Sequence, residues 1–549
     1  MSGAASLEHL LGRAAVVEDR IRALVAERRA DDPQPDDPFR GLYLTDEAVD
    51  RILALGARTA TPAADGPRLA ACERRADAAQ SAGERLRLRE LAATFALAPL
   101  DVELLLIALA CDLDARFEQL FGYLNDDVTR RRPSTAVALA LCGEPLSSAS
   151  ARARLSDGPL VAGGLLSVED PERPFPGRAL RVPDRVVAHL LGDDSPDTAL
   201  AAVLAPVPDV DWGDERPLAT ALRSGVTLTY LREPATGSGR VLAARALAKC
   251  GHGVLSVDLA RLLAEPDPMD IARIAAREAR LRGAGLVVAP VDAVIDRPAL
   301  VDALRCEPMP LLLVGSASWD PAWAGAPPLL VDVAVSTPSE RVALWRAALN
   351  GSAPGVDLDA ATASFLLRPE QVGRAAGSAV VQARLSEGGE VTARQVQAGA
   401  RAENGAALHR LARRVEPAVG WTDLVLPPGT QSALHEVALR ARHREQVLGE
   451  WQMRPGGGRG HGVAALFAGD SGTGKTMSAE VVAGDLGLDL YVVDLAAVVD
   501  KYVGETEKNL ERIFTAGAGV NGVLLFDEAD AIFGKRSEVK DAHDRYANV

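Results

Sequence analysis

The run Gly469-Asp470-Ser471-Gly472-Thr473-Gly474-Lys475-Thr476 has the spacing G-x-x-x-x-G-K-T, which wraps backbone N–H groups around phosphate oxygens. Glycine is required because a side chain at those places would hold the backbone away from the anion. The spacing predicts that Lys475 neutralises the β and γ phosphates of a nucleotide and that the Thr476 hydroxyl holds Mg2+. A pair of acids completes the chemistry. Asp527 closes the apolar run Val523-Leu524-Leu525-Phe526, and Glu528 follows it. Asp527 is suited to hold hydrated Mg2+, and Glu528 to polarise water for in-line attack on the γ phosphate. Together the motifs predict ATP binding and hydrolysis.

Such groups need elements to position them. Val463 to Ala468 is a short apolar run that predicts a buried parallel strand leading into the loop, and Met477 to Leu486 predicts a helix whose positive N-terminus faces the same anion. The same plan recurs between Gly225 and Pro417 without its chemistry. Val226 to Leu231 predicts a strand, and Pro234-Ala235-Thr236-Gly237-Ser238-Gly239-Arg240-Val241 stands where the loop belongs. Its first glycine is Pro234, its lysine Arg240 and its magnesium hydroxyl Val241. Val257-Asp258-Leu259-Ala260 mirrors Val493-Asp494-Leu495-Ala496, and in Leu286 to Val291 the two acids are replaced by Pro290 and Val291. Pro310 to Val314 predicts a further strand, Pro338 opens a helix through Leu349, and helices are expected from Asp359 to Val415. Hydrolysis at this copy would be very slow. An unrelated α/β domain with a Gly-Ser-Gly turn is the other reading.

The N-terminal part is mainly helical. Apolar positions recur at helical spacing from Leu7 to Arg29, Thr45 caps a segment through Leu55, and several helices are expected between Glu84 and Cys142. Two short β-like stretches, Leu160 to Val168 and Arg178 to Val182, flank a Pro-rich turn, an arrangement that resembles a winged-helix domain. Arg130, Arg131 and Arg132 read either as DNA phosphate contacts or as a solvated turn of a protein-interaction module. The net charge of −15 favours the second and makes nucleic acid an improbable main partner. An Asp/Pro-rich stretch, Gly192 to Pro217, reads as a linker. Hydrophobic residues are 48% of the chain and charged residues 25%, ordinary for folded domains. Cys72, Cys111, Cys142, Cys250 and Cys306 are scattered singly, which argues against a zinc or redox site. No apolar run approaches the roughly 18–20 residues a membrane span needs, and the expectation is a cytoplasmic protein.

Between the two motifs, Lys501-Tyr502-Val503-Gly504-Glu505-Thr506-Glu507-Lys508-Asn509 resembles the pore loop of AAA+ unfoldases and remodelling ATPases. The resemblance implies that Tyr502, with Val503, grips a protein substrate in the channel of a homo-hexameric ring; a packed tyrosine in a capping turn is the alternative. Gly420-Trp421-Thr422-Asp423-Leu424-Val425-Leu426-Pro427 and the segment from Phe533 to Asn548 resemble the AAA+ ATPases encoded with bacterial contractile, phage-tail-like injection systems. What this implies is an ATP-driven remodeller of a particle component. The fold class expected is multi-domain: a helical segment over 1–80, a winged-helix-like domain over 84–195, a degenerate AAA+ module with its lid over 218–415, and an active-type AAA+ module over 418–549. The resemblance implies the strand order 5-1-4-3-2 for such a core. The chain stops about twenty residues past Glu528, so the fourth strand, the sensor, the arginine finger and the lid of the last module are expected beyond Val549. Two other functions stay open: a nucleotide-gated structural or docking protein, and a winged-helix DNA-binding regulator.

Overall fold

The computed structural model describes residues 3–30, 66–233, 237–294, 297–362, 365–385, 389–404, 412–444, 447, 451, 453, 462–470, 472–494, 510, 513–514, 522–527 and 529. The segment expected from Thr45 to Leu55 lies outside them. The chain divides into two compact units, one of residues 1–206, 216–230 and 243–330, the other of residues 207–215, 231–242 and 331–549.

The first unit opens with helices α1 (Ala4–Ala30), α2 (Pro67–Ser81), α3 (Arg87–Thr94), α4 (Pro99–Leu113), α5 (Arg116–Leu124), α6 (Thr135–Leu141), α7 (Ala149–Asp157) and α8 (Pro159–Ala162). Strands β1 (Ser167–Val168) and β2 (Leu180–Arg181) then pair antiparallel, and α9 (Asp184–Leu191) follows. Helix α4 is apolar all round from Leu104 to Ala110 and is wholly buried there, so it forms the centre of this core. Its first turn is fixed by Asp101, which accepts from the Ala98 amide at 2.8 Å and from Arg154 at 2.7 Å. Leu10, Val17 and Ile21 of α1 lie in the same core as Leu88, Phe121 and Val186. The expected first strand, Leu160 to Val168, is mostly not a strand: Pro159 starts a short helix, and extended chain is left only at Ser167–Val168.

The stretch expected as a linker is partly built into the fold. Leu200 and Val203 are fully buried, and residues 203–205 run beside Ser256–Asp258, with Ala205 donating to Ser256 and Asp258 to Val203. Apolar side chains at those two places outweigh the turn-forming composition around them. Next come α10 (Arg216–Arg223), β3 (Leu228–Arg232), α11 (Gly239–Lys249), β4 (Gly253–Asp258), α12 (Leu259–Leu263), α13 (Pro268–Arg282), β5 (Ala284–Ala289), α14 (Ala299–Ala303), β6 (Leu311–Gly315) and β7 (Leu329–Asp332). The sheet order is β4-β5-β6-β3-β7, with β4, β5 and β6 parallel. Counted from β3, this is the order that the resemblance implies for an AAA+ core. β5 and β6 are buried at every position, as strands covered on both faces must be. Helix α13 faces two ways: Ala272, Ala275 and Ala279 pack on the sheet, while Leu281 joins the helical core. Its Glu278 receives a two-pronged bond from Arg185 of α9, both contacts 2.9 Å and both side chains buried.

In the second unit α15 (Pro338–Leu349), α16 (Leu358–Thr362), α17 (Pro369–Ala383) and α18 (Ala393–Asn404) form a helical segment. Thr337 and Glu340 make a reciprocal capping box at the start of α15. The expected helical run ends instead in a strand, β8 (Arg413–Val415), where the β-branched Val415 and its neighbours pair with β9 (Leu490–Asp494). Between them lie α19 (Pro428–Arg442) and α20 (Lys475–Asp485), and β10 (Val523–Asp527) runs parallel to β9. The small sheet has the order β10-β9-β8.

Candidate functional site

Helix α20 carries the predicted loop at its N-terminus. One side of the helix, Ala479 and Ala483, packs on Leu490, Val523 and Leu525 of the sheet. The other side, Val481 and Val482, packs on Leu424, Leu434 and Ala438, beside the stacked pair Trp421 and His435, whose rings are 3.7 Å apart. A short turn at 486–489 joins α20 to β9 and reverses the chain, so the N-terminus of α20 lies at the C-terminal end of β9. Asp527 stands at that same end, in register with Asp494 of β9. The phosphate-type loop and the acid predicted to serve it therefore share one end of the sheet, where open α/β sheets bind ligands.

Gly472 and Gly474 take φ values of +81° and +85°, a backbone that other residues adopt only under strain, and these two reversals shape the loop. Lys475 bends back so that its Nζ donates to the carbonyls of Gly469 at 2.8 Å and Asp470 at 2.9 Å. Thr473 Oγ1 donates to Asp470 at 2.8 Å. The first helical bond runs from the Ser478 amide to Gly474 at 2.8 Å, and the amides of Lys475, Thr476 and Met477 precede it. These are the amides a phosphate oxygen would accept from, next to an ammonium group whose present partners are neutral carbonyls. Thr476 and Asp527 are both exposed, and a hydroxyl with a carboxylate is a donor set that suits Mg2+.

Ser471, Glu528, Tyr502 and Val503 lie outside the described residues. The run Val463 to Ala468, expected as a buried strand, is irregular chain and mostly exposed, Leu466 being 88% so. Phe467 anchors it against α20. A strand exists by virtue of a ladder partner. In the expected order this segment pairs with the fourth and fifth strands, and among the described residues the small sheet offers neither.

Two further acids stand just past the ends of strands in the first sheet. Asp292, just past Pro290 and Val291, accepts from the Ser316 amide at 2.9 Å, the Ser316 hydroxyl at 3.1 Å and the Ala317 amide at 2.9 Å, tying the end of β6 to the loop after β5. Its place just past a buried apolar run was the available signal. Glu233, at the end of β3, accepts from the Gly239 amide at 2.8 Å and from Arg368 at 2.6 Å. On the surface of the N-terminal helical part Arg130, Arg131 and Arg132 face Asp127, Glu118 and Asp112 at 3.2, 3.5 and 3.4 Å. Burial pushes the thiols of Cys111, Cys142 and Cys306 up to about 12, so all three stay protonated.

Three families match parts of the chain: a variant winged helix domain over residues 4–204, the contractile injection system ATPase helical domain over 337–415, and the ATPase family associated with various cellular activities (AAA) over 465–549. Among curated proteins, an uncharacterized AAA family ATPase, y4kL, of Sinorhizobium fredii is 32% identical over 129 residues, 23% of this chain and 36% of that protein. The peroxisomal ATPase PEX6 of Penicillium chrysogenum is 29% identical over 127 residues, 23% of this chain and 8% of its own. Fidgetin-like protein 1 of Caenorhabditis elegans is 30% identical over 121 residues, 22% and 19% of the two chains. The chain thus spans about a third or less of the length of these relatives. Residues 465–549 resemble the AAA+ ATPases. With the helical match over 337–415, the chain resembles the ATPases of contractile injection systems. No helix among the described residues is long and apolar enough to cross a membrane.

Proposed function

We propose that the chain binds ATP at Gly469–Thr476 and, assembled with further copies into a ring, hydrolyses it to remodel or assemble a protein complex, by resemblance a contractile injection particle. Lys475 neutralises the β and γ phosphates, Thr476 and Asp527 hold Mg2+, and Glu528 polarises the attacking water. When bound, the metal offsets charge on the phosphates. Tyr502 and Val503 grip the protein substrate. Residues 218–415 serve as a silent scaffold with a lid-like helical segment, and the winged-helix part as the adaptor for substrate or partner.

The observation that carries this reading is the left-handed glycine pair before α20, with Lys475 folded over the loop carbonyls at the sheet end where Asp527 stands. The test is ATP binding by the chain and two variants, with turnover measured on protein that includes the elements expected beyond Val549. Lys475→Ala is expected to lose nucleotide binding. Glu528→Gln is expected to bind ATP and fail to release phosphate, at a loss on the order of 10²-fold or more in kcat. Normal turnover by Glu528→Gln would sink the assignment of that acid.

A further inference from the structure

The loop between β3 and α11 holds an anion of its own. Glu233 puts one carboxylate oxygen on the Gly239 amide at 2.8 Å, at the start of an eleven-residue helix. Its other oxygen accepts from Arg368 at 2.6 Å. Arg368 is the N-cap residue of α17, and two residues on Glu370 accepts from the hydroxyl of the fully buried Ser238. The Ser238 oxygen also accepts from the Val241 amide at 3.2 Å. Residues 234–236 lie outside the described residues; on either side of them Glu233 and Ser238 are each tied to the start of α17, by Glu233 with Arg368 and by Ser238 with Glu370. Burial pushes the Glu233 carboxyl up, while the Arg368 guanidinium and the Gly239 amide oppose that shift and favour its charged form.

Helix starts of this kind hold phosphate because their first amides point at an anion and the helix dipole favours negative charge. Here that amide is already engaged by a carboxylate of the same chain. A polyphosphate entering the loop has to displace Glu233, break its pair with Arg368, and lie beside two carboxylates of like charge, Glu233 and Glu370. The loss of the lysine, the magnesium hydroxyl and both acids explains an inactive site. It does not explain why the loop should be clasped to a helix 135 positions further on.

We infer that Glu233 is a built-in substitute for a nucleotide phosphate: it closes the first module to nucleotide and fastens its loop to α17 with no ligand present. The helical segment that begins at Pro338 is then held to its loop permanently, and each chain has one nucleotide site rather than two. This rests on reading residues 218–415 as a silent copy of the ATPase module, and is independent of whether Gly469–Thr476 turns ATP over.

The test uses the full chain, a fluorescent ATP analogue with Mg2+, and amide hydrogen exchange. Lys475→Ala is expected to bind no analogue, and ATP is expected to leave exchange over 237–242 and 368–373 unchanged in the unaltered chain. Binding of one analogue per Lys475→Ala chain, with protection appearing over 237–242, overturns the proposal. In Glu233→Gln those two segments should exchange about tenfold faster, the change that the loss of one charge-assisted hydrogen bond implies. Arg368 is 40% exposed, so Arg368→Ala removes the partner without opening a core and should give the same local rise. Unchanged exchange in Arg368→Ala overturns the clasp. Peptides from Leu104 to Ala110 report whether any rise is local. Absence of binding by the unaltered chain counts against the reading of Gly469–Thr476 alone, and the exchange results then decide the clasp.

Discussion

His189 shows how a single side chain can set the pH behaviour of a core. It is buried in α9, where desolvation, reinforced by the guanidinium groups of Arg87 and Arg185, lowers its pKa to about 4 despite the Asp194 carboxylate 3.8 Å away. In the unfolded chain the ring takes up a proton below its ordinary value of 6.5, while the folded chain refuses it until about pH 4. Between those values the unfolded state binds more protons, so stability rises with pH, and the contribution of the neutral ring is lost as pH falls from 6.5 towards 4. The full effect is on the order of 3 kcal/mol. Thermal unfolding of the chain at pH 7 and at pH 5 should show a lower midpoint at the acid end, and His189→Gln should flatten that part of the slope. An equally steep slope in the variant would assign it to other groups. Neither this histidine nor Glu233 is marked by any local pattern. Their partners stand up to 135 positions away, and only the fold brings them together.

Among the elements, periodicity and apolar runs made three strands of the first sheet legible. Leu228–Arg232, Ala284–Ala289 and Leu311–Gly315 stand near the runs that predicted them, because buried strands are written as apolar sequence, whereas Gly253–Asp258 and Leu329–Asp332 were not read as strands. The same signal failed at Val463–Ala468, since an apolar run states what should be buried and says nothing of whether a ladder partner exists. It also failed at Arg413–Val415, three residues too short and too charged to stand out against the helices before them. Of the proposed site, the loop, Lys475 and Asp527 could be picked out in the sequence because their chemistry demands fixed types at fixed spacing. The bonds that hold the elements together were not. Arg185 of α9 and Glu278 of α13 are 93 positions apart and form a buried, two-pronged pair. Arg185→Ala leaves a carboxylate buried without its partner and should cost about 3–5 kcal/mol, read as a lower unfolding midpoint. A shift indistinguishable from that of an exposed arginine variant would show that the pair contributes little.

For the whole molecule, charge argues for protein partners. A chain with a net charge of −15 whose three consecutive arginines each face an acid presents little that would release counterions from a duplex. Titration with a labelled DNA duplex at low and moderate salt should give no salt-sensitive binding. Tight binding that weakens steeply with salt would restore the DNA-regulator reading. The winged-helix match over 4–204 gives a shape often used on nucleic acid, and fold alone does not assign that use. The same scale carries the consequence of helix α13. With its alanines on the sheet and Leu281 in the helical core, it is a wall common to two rooms. Neither room can be removed without opening the other to water. The winged-helix part and the first sheet should therefore melt, evolve and be inherited as one piece.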